Sequence, residues 1–161
     1  MKSNDVVHVV SERLKLFKLP YALTLPDLIK KVETIWGHIE VVDEALPTTV
    51  AGCSFASSNN DGFVVLVNSN RQGYARTCVI VHELSHIIRG DAKSLKKLEH
   101  QNVIASLNNG IVPDDLLCNL VFTTIRSPEI EKDVGVYTAL ILEKIVSEEE
   151  LNFINNTLDW L

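Results

Sequence analysis

No span of eighteen apolar residues occurs anywhere in the 161-residue chain, so nothing in it reads as a membrane-spanning helix. The opening residues Met1-Lys2-Ser3-Asn4-Asp5 lack the apolar core and small-residue cleavage site of an export signal, and the expectation is a soluble, cytoplasmic protein. Basic runs are also missing: none is longer than Lys30-Lys31 or Lys96-Lys97, and the formal net charge is -6. An acidic surface repels phosphate backbones, which argues against direct nucleic-acid binding. Cysteine is scarce. Cys53, Cys78 and Cys118 are odd in number, widely spaced and set in apolar sequence, which reads as reduced core thiols and not as a disulfide frame. There is no internal repeat and no low-complexity linker. With 46% hydrophobic and 22% charged residues, the expectation is one domain over residues 1–161 with its own core.

What the chain does have is His82-Glu83-Leu84-Ser85-His86, inside an apolar run uninterrupted by Pro or Gly until Gly90. On a helix, positions i and i+4 point the same way, so both imidazoles can reach one ion at about 2 Å. Glu83 is turned aside from the two ligands and stands where a general base could take a proton from water. Chance alone yields such a match roughly once in a hundred chains of this composition. The apolar residues Val79, Ile80, Val81, Leu84, Ile87 and Ile88 make this a buried helix, in which two histidines need partners for their nitrogens. Cys78 lies one turn before His82 as a further donor type.

The surrounding pattern predicts an α+β order. Val6, Val9, Val10, Leu14 and Phe17 give a first helix over residues 5–18; Thr24 caps a second that ends at Gly37. Strands follow at Ile39–Asp43, Thr49–Ala56 and Phe63–Val67, the last two forming an antiparallel hairpin around Ser57–Gly62. The Phe63–Val67 strand could be an exposed edge able to hold an extended peptide, or it could be paired on both sides. Helices then take over: Ser94–Leu107, Pro113–Ile125, a helix opened by Ser127-Pro128, and a last one opened by the capping box Ser147-Glu148-Glu149-Glu150 and running to Trp160. The expected layout is N-terminal helices over 1–37, a small antiparallel sheet over 38–70, an active-site helix over 74–90 packed on that sheet, and a helical part over 94–161.

Two histidines do not complete a catalytic site, which takes three protein ligands and keeps one position open. A metzincin would need Gly and His where Arg89 and Ala92 stand, so that class is excluded. Glu129 is the leading third ligand. Asp133 shares its helix face and could accept a hydrogen bond from a ligating imidazole. Glu131, Glu99 and His100 are the alternatives. Tyr74, His100 and Tyr137 are available as oxyanion or substrate contacts.

Together these residues resemble the ImmA/IrrE family of zinc metallopeptidases. The similarity runs from about Ile39 to Ile145 and is carried by the Asp61-Gly62 to Asn68 strand, by Arg76 with His82-Glu83-Leu84-Ser85-His86, and by Glu129-x-x-x-Asp133 followed by Ala139 and Leu140. It implies a gluzincin-like fold, zinc on His82, His86 and Glu129, Glu83 as catalytic acid/base, and a helix-turn-helix repressor as the protein cut, switching on genes of mobile elements or stress responses. Residues 1–45 hold too few helices for a DNA-binding domain, so that repressor would be a separate chain. Asp91 departs from the family pattern, standing where a histidine often follows the metal helix. The rival expectations are a zincin-fold sensor or anti-repressor with little proteolysis, and a secreted peptidase, against which the missing export signal counts.

Overall fold

The computed structural model describes residues 3–93, 95–117, 119–120 and 127–158. Helix α1 (Ser3–Leu14) buries Val6, Val10 and Leu14, spaced four apart along one face, and passes into a 3-10 turn, Lys15–Phe17. Helix α2 (Leu25–Trp36) starts where expected: Thr24 Oγ1 accepts the Asp27 amide at 3.3 Å, and Pro26 occupies the first turn. Its stripe of Leu28 and Val32 is fully buried.

Strands β1 (Ile39–Glu44), β2 (Gly52–Ala56) and β3 (Phe63–Asn68) form one sheet in the order β1-β3-β2. The expected hairpin is present, with Cys53 opposite Leu66 and Phe55 opposite Val64, while β1 joins β3 in parallel, so the sheet is mixed. Strand β3 is therefore central and buried along its whole length, which removes the exposed-edge expectation for it. Its alternate side chains feed two cores. Phe63, Val65 and Val67 face α1, α2 and the helices described next; Val64 and Leu66 face Leu46, Phe55, Val103, Leu107 and Leu120.

Helix α3 (Gly73–Arg89) carries the histidine motif and packs on β2, β3, α2 and α6 (Pro128–Leu142). Helix α4 (His100–Asn109) begins several residues later than the expected Ser94, because Leu98 bridges to the end of β2, its amide donating to Ala56 O at 2.8 Å. Of the helix expected over Pro113–Ile125 only α5 (Asp114–Leu117) lies within the described residues; Val121 and Cys118 fall outside them. Ser127 caps α6 by accepting the Ile130 amide at 3.3 Å. The capping box of α7 (Glu148–Leu158) is reciprocal: Ser147 Oγ accepts the Glu150 amide at 3.1 Å and Glu150 Oε2 the Ser147 amide at 2.9 Å. Trp160 is outside the described residues. No described helix is long and apolar enough to cross a membrane.

Helix α3 comes close to β2 because β2 turns small residues toward it. A Cβ placed on Gly52 would stand 2.6 Å from Val79 Cγ1 and 2.7 Å from the Leu66 carbonyl oxygen, and the carbonyl cannot yield without moving the central strand. Gly52→Ala is accordingly expected to destabilise the fold by about 1–3 kcal/mol, the usual penalty of overpacking. Urea unfolding measures this; a midpoint equal to that of the unaltered protein would show that the helix can back away freely.

Candidate metal centre

His82 and His86 leave α3 on one face, one turn apart, with ring centroids 5.0 Å apart and the planes at 78°. The side chain closing the group is Glu131. Its Oε2 lies 3.4 Å from His82 Nε2 and its Oε1 3.3 Å from His86 Nε2, and one donor atom from each of the three residues falls within 4.8 Å of the others. Both Nε2 atoms are buried and have no hydrogen-bond partner among the described residues. A charge-assisted N–H···O contact closes to about 2.7–2.9 Å. The edge of a tetrahedron with ligand bonds of about 2.0–2.1 Å is instead about 3.3–3.4 Å. The observed separations, one to each oxygen of the carboxylate, are longer than the first case, and the trio could hold a metal ion.

The hydrogen bonding of His86 sharpens that fit. Its Nδ1 meets Asp91 Oδ2 at 2.7 Å, and burial of both side chains makes this a strong bond. Burial would raise the Asp91 carboxyl, but the hydrogen bond from His86 and the charge of Arg89 outweigh it and hold Asp91 below the usual carboxylate range. An ionised Asp91 only accepts, so Nδ1 carries the proton. With Nδ1 so committed, Nε2 is the ring nitrogen left facing the Glu131 carboxylate and the one a metal ion would take. His82, desolvated and close to His86, has its pKa lowered to about 4, so near neutrality its ring is uncharged and able to ligate.

Asp91 reaches His86 through the end of α3. Gly90, at φ +93°, takes the left-handed conformation; its amide donates to Ile87 O at 3.0 Å and the Asp91 amide to His86 O at 3.0 Å. This is a Schellman reversal, which folds residue 91 back over the histidine. The Gly90-Asp91 pair after the helix is the signal by which this partner could have been found.

Glu83 is fully buried behind the pair. Burial is the main cause raising its pKa to about 7; the Glu131 charge adds to the rise, while His86 and a hydrogen bond from Ser54 oppose it. Ser54 Oγ donates to Glu83 Oε2 at 2.9 Å. Strand alternation sends Cys53 and Phe55 to one face of β2 and Ser54 to the face under α3, which is what puts this hydroxyl in reach. The same burial, helped by Glu83, pushes the Cys53 thiol well up; Cys53 and Cys78, the described cysteines, are both free thiols.

Several expected roles move. Glu129 is exposed and is not in the trio; Glu131 takes its place. The reason is helix phase. Val134 is the buried guide residue of α6, and at 3.6 residues per turn Glu131 lies about 60° from it and Glu129 about 140° away. Asp133 does not receive a histidine N–H; that place belongs to Asp91, and Asp133 Oδ2 pairs with Arg89 Nη2 at 3.5 Å. Tyr74 is 72% exposed and hydrogen-bonds Cys78 one turn along α3. His100 faces Glu44 at 3.9 Å, Tyr137 is buried in the core against Arg13, and Glu99 precedes α4 and accepts from Asn102 Nδ2 at 3.0 Å; none of them belongs to the trio.

No protein-family model, curated protein or solved structure matches this chain.

The two carboxylates can be told apart directly. In a competition titration of Zn2+ or Co2+ against a chromophoric chelator, Glu131→Gln is expected to weaken binding by more than about a hundredfold, beyond the usual effect of an outer-shell change. Glu129→Gln should stay within about twofold of the unaltered protein, since a solvated carboxylate at a helix start contributes little. The opposite ranking would return the ligand role to Glu129.

Proposed function

We propose that the protein is a zinc-dependent metallopeptidase of the ImmA/IrrE type, acting in a reducing cytoplasm on a protein substrate, with a helix-turn-helix repressor in a separate chain as the favoured target. One observation carries the hydrolase reading: two buried, unpartnered Nε2 atoms face the Glu131 carboxylate at ligand spacing, with an equally buried glutamate beside them. His82, His86 and Glu131 would hold the ion. Bound there, zinc would polarise a scissile carbonyl and acidify water.

The chain's own groups supply the rest. Ser54 occupies Glu83 Oε2, which orients the carboxylate and leaves Oε1 to take a proton from the attacking water and pass it to the departing amine nitrogen. Asp91 keeps the His86 proton on Nδ1, so Nε2 stays available as a donor of its lone pair. Burial of Glu83, Ser54 and His86 excludes bulk water from the proton's path.

Asn68 N donates to Ala51 O and Ser57 N to Gly62 O, so antiparallel alternation turns the main-chain groups of Gly52 and Ser54 away from β3. Ser54 is fully buried and β2 is covered from Cys53 to Ala56, so neither strand of the hairpin offers a free edge for an extended peptide, and the protein-substrate reading rests on the metal centre and the family resemblance.

Glu83→Gln tests the reading. The variant should bind zinc as the unaltered protein does while cleavage of a helix-turn-helix repressor, or of casein as an unfolded substrate, falls by about 100- to 10,000-fold, the range of a lost general base. Chelation of the metal should abolish cleavage by the unaltered protein. Full regulation of a repressor partner by the Glu83→Gln protein would favour a sensor or anti-repressor without proteolysis.

A further inference from the structure

The groups that hold His86 and the helix that carries Glu131 meet at one guanidinium. Arg89 sits in the last turn of α3 with most of its side chain covered. Its Nη1 contacts Asp91 Oδ1, while Oδ2 of the same carboxylate accepts from His86 Nδ1 at 2.7 Å. Its Nη2 lies 3.5 Å from Asp133 Oδ2, two residues beyond Glu131 on α6. A continuous line of contacts therefore runs from one ligand of the trio, through Asp91 and Arg89, to the helix that presents another.

The geometry of α6 says what this line can do. Residue 133 lies about 200° around the helix from residue 131, so the Arg89 contact grips α6 on a flank away from the metal-facing side. Thr138, about 20° from the Glu131 direction, donates from Oγ1 to Ser85 Oγ at 3.2 Å on α3. A contact on Glu131's own face sets how far α6 stands from α3 but does not oppose rolling. An ion pair on the flank does oppose it, and rolling is the motion that would carry the Glu131 carboxylate away from the imidazoles.

Resting on the metal-centre reading above, we infer that Arg89 is a positioning residue that locks the roll of α6 against α3, so that His86 and Glu131 are assembled as one unit before an ion arrives. A guanidinium suits the role because it presents separate N–H groups to Asp91 and Asp133 at once, which an ammonium cannot do in the same geometry. The acceptor on α6 belongs to Asp133, the residue that sequence spacing assigns to a histidine.

The test is Co2+ and Zn2+ affinity of the full chain, measured by chelator competition and by the visible band of bound Co2+, for Arg89→Gln, Arg89→Lys, Asp133→Asn and the Arg89→Gln/Asp133→Asn pair. Each single neutral variant should lose about tenfold to a hundredfold in affinity. The double variant should be no worse than the weaker single one, because both break one contact. The Co2+ band should lose intensity as the third ligand drifts, and Arg89→Lys should restore only part of the loss. The thermal unfolding midpoint of the metal-free proteins separates this from general damage. If Arg89→Gln does not fold, the half-exposed Asp133→Asn carries the measurement. Unchanged affinity and spectrum in Asp133→Asn would overturn the inference and leave the metal centre standing; absence of Co2+ binding by the unaltered protein would overturn both.

Discussion

His86 Nε2 faces Glu131 Oε1 at 3.3 Å with both atoms buried, and because the other ring nitrogen is committed to Asp91, Nε2 is the one left for an ion. A carboxylate held this close to two buried imidazole nitrogens, in a medium less polar than water, favours a cation among them. Much of the surrounding structure serves to keep them opposed: α3 is wedged between the sheet and α6, Gly90 reverses the chain to deliver Asp91, and the Ser127 cap starts α6 where Glu131 turns inward.

Two other ionisable groups respond to the same burial in opposite senses. Glu83, raised to about 7, favours folding while it is protonated; that contribution is complete below its unfolded value of 4.5 and fades as pH rises through about 7. His82, lowered to about 4, favours folding while neutral, and its contribution fades as pH falls from 6.5 toward 4. Between about 4.5 and 6.5 the slopes oppose each other and largely cancel. A centre assembled from groups with opposed demands can stay buried across mildly acid conditions without any one of them driving the protein open.

Sequence periodicity carries far enough to place α2, the hairpin and α3, because each rests on a local rule: a threonine cap with proline in the first turn, a Gly-bearing turn between β-rich runs, and an uninterrupted apolar helix around His82 and His86. The α+β order follows from these. The third ligand needs more than local spacing. Glu129 and Asp133 look like a matched pair by spacing alone, but Val134, Tyr137 and Ile141 set the buried side of α6, and that phase selects Glu131. Pairing in the sheet is likewise nonlocal. Whether Phe63–Asn68 is an edge depends on where β1 lands, and its parallel docking makes β3 central. Asp91 is marked locally by the glycine that reverses the helix end, whereas Ser54 depends on which face of β2 meets α3, a matter of tertiary packing.

The trio also spans two parts of the molecule that are otherwise joined by side-chain packing. His82 and His86 come from a helix seated on the sheet, Glu131 from a helix that meets α3 through Val134, Thr138 and Ile141. An ion shared between them couples its own binding energy to the docking of α6, by the same linkage that ties any structural ligand to folding. Contacts that hold α6 in place would then raise metal affinity, and a bound metal would in turn hold α6. Were the trio to hold an ion, Glu131 would be the natural point of control in this architecture: a partner that shifts α6 would loosen the metal without touching either histidine, and one that clamps α6 would tighten it.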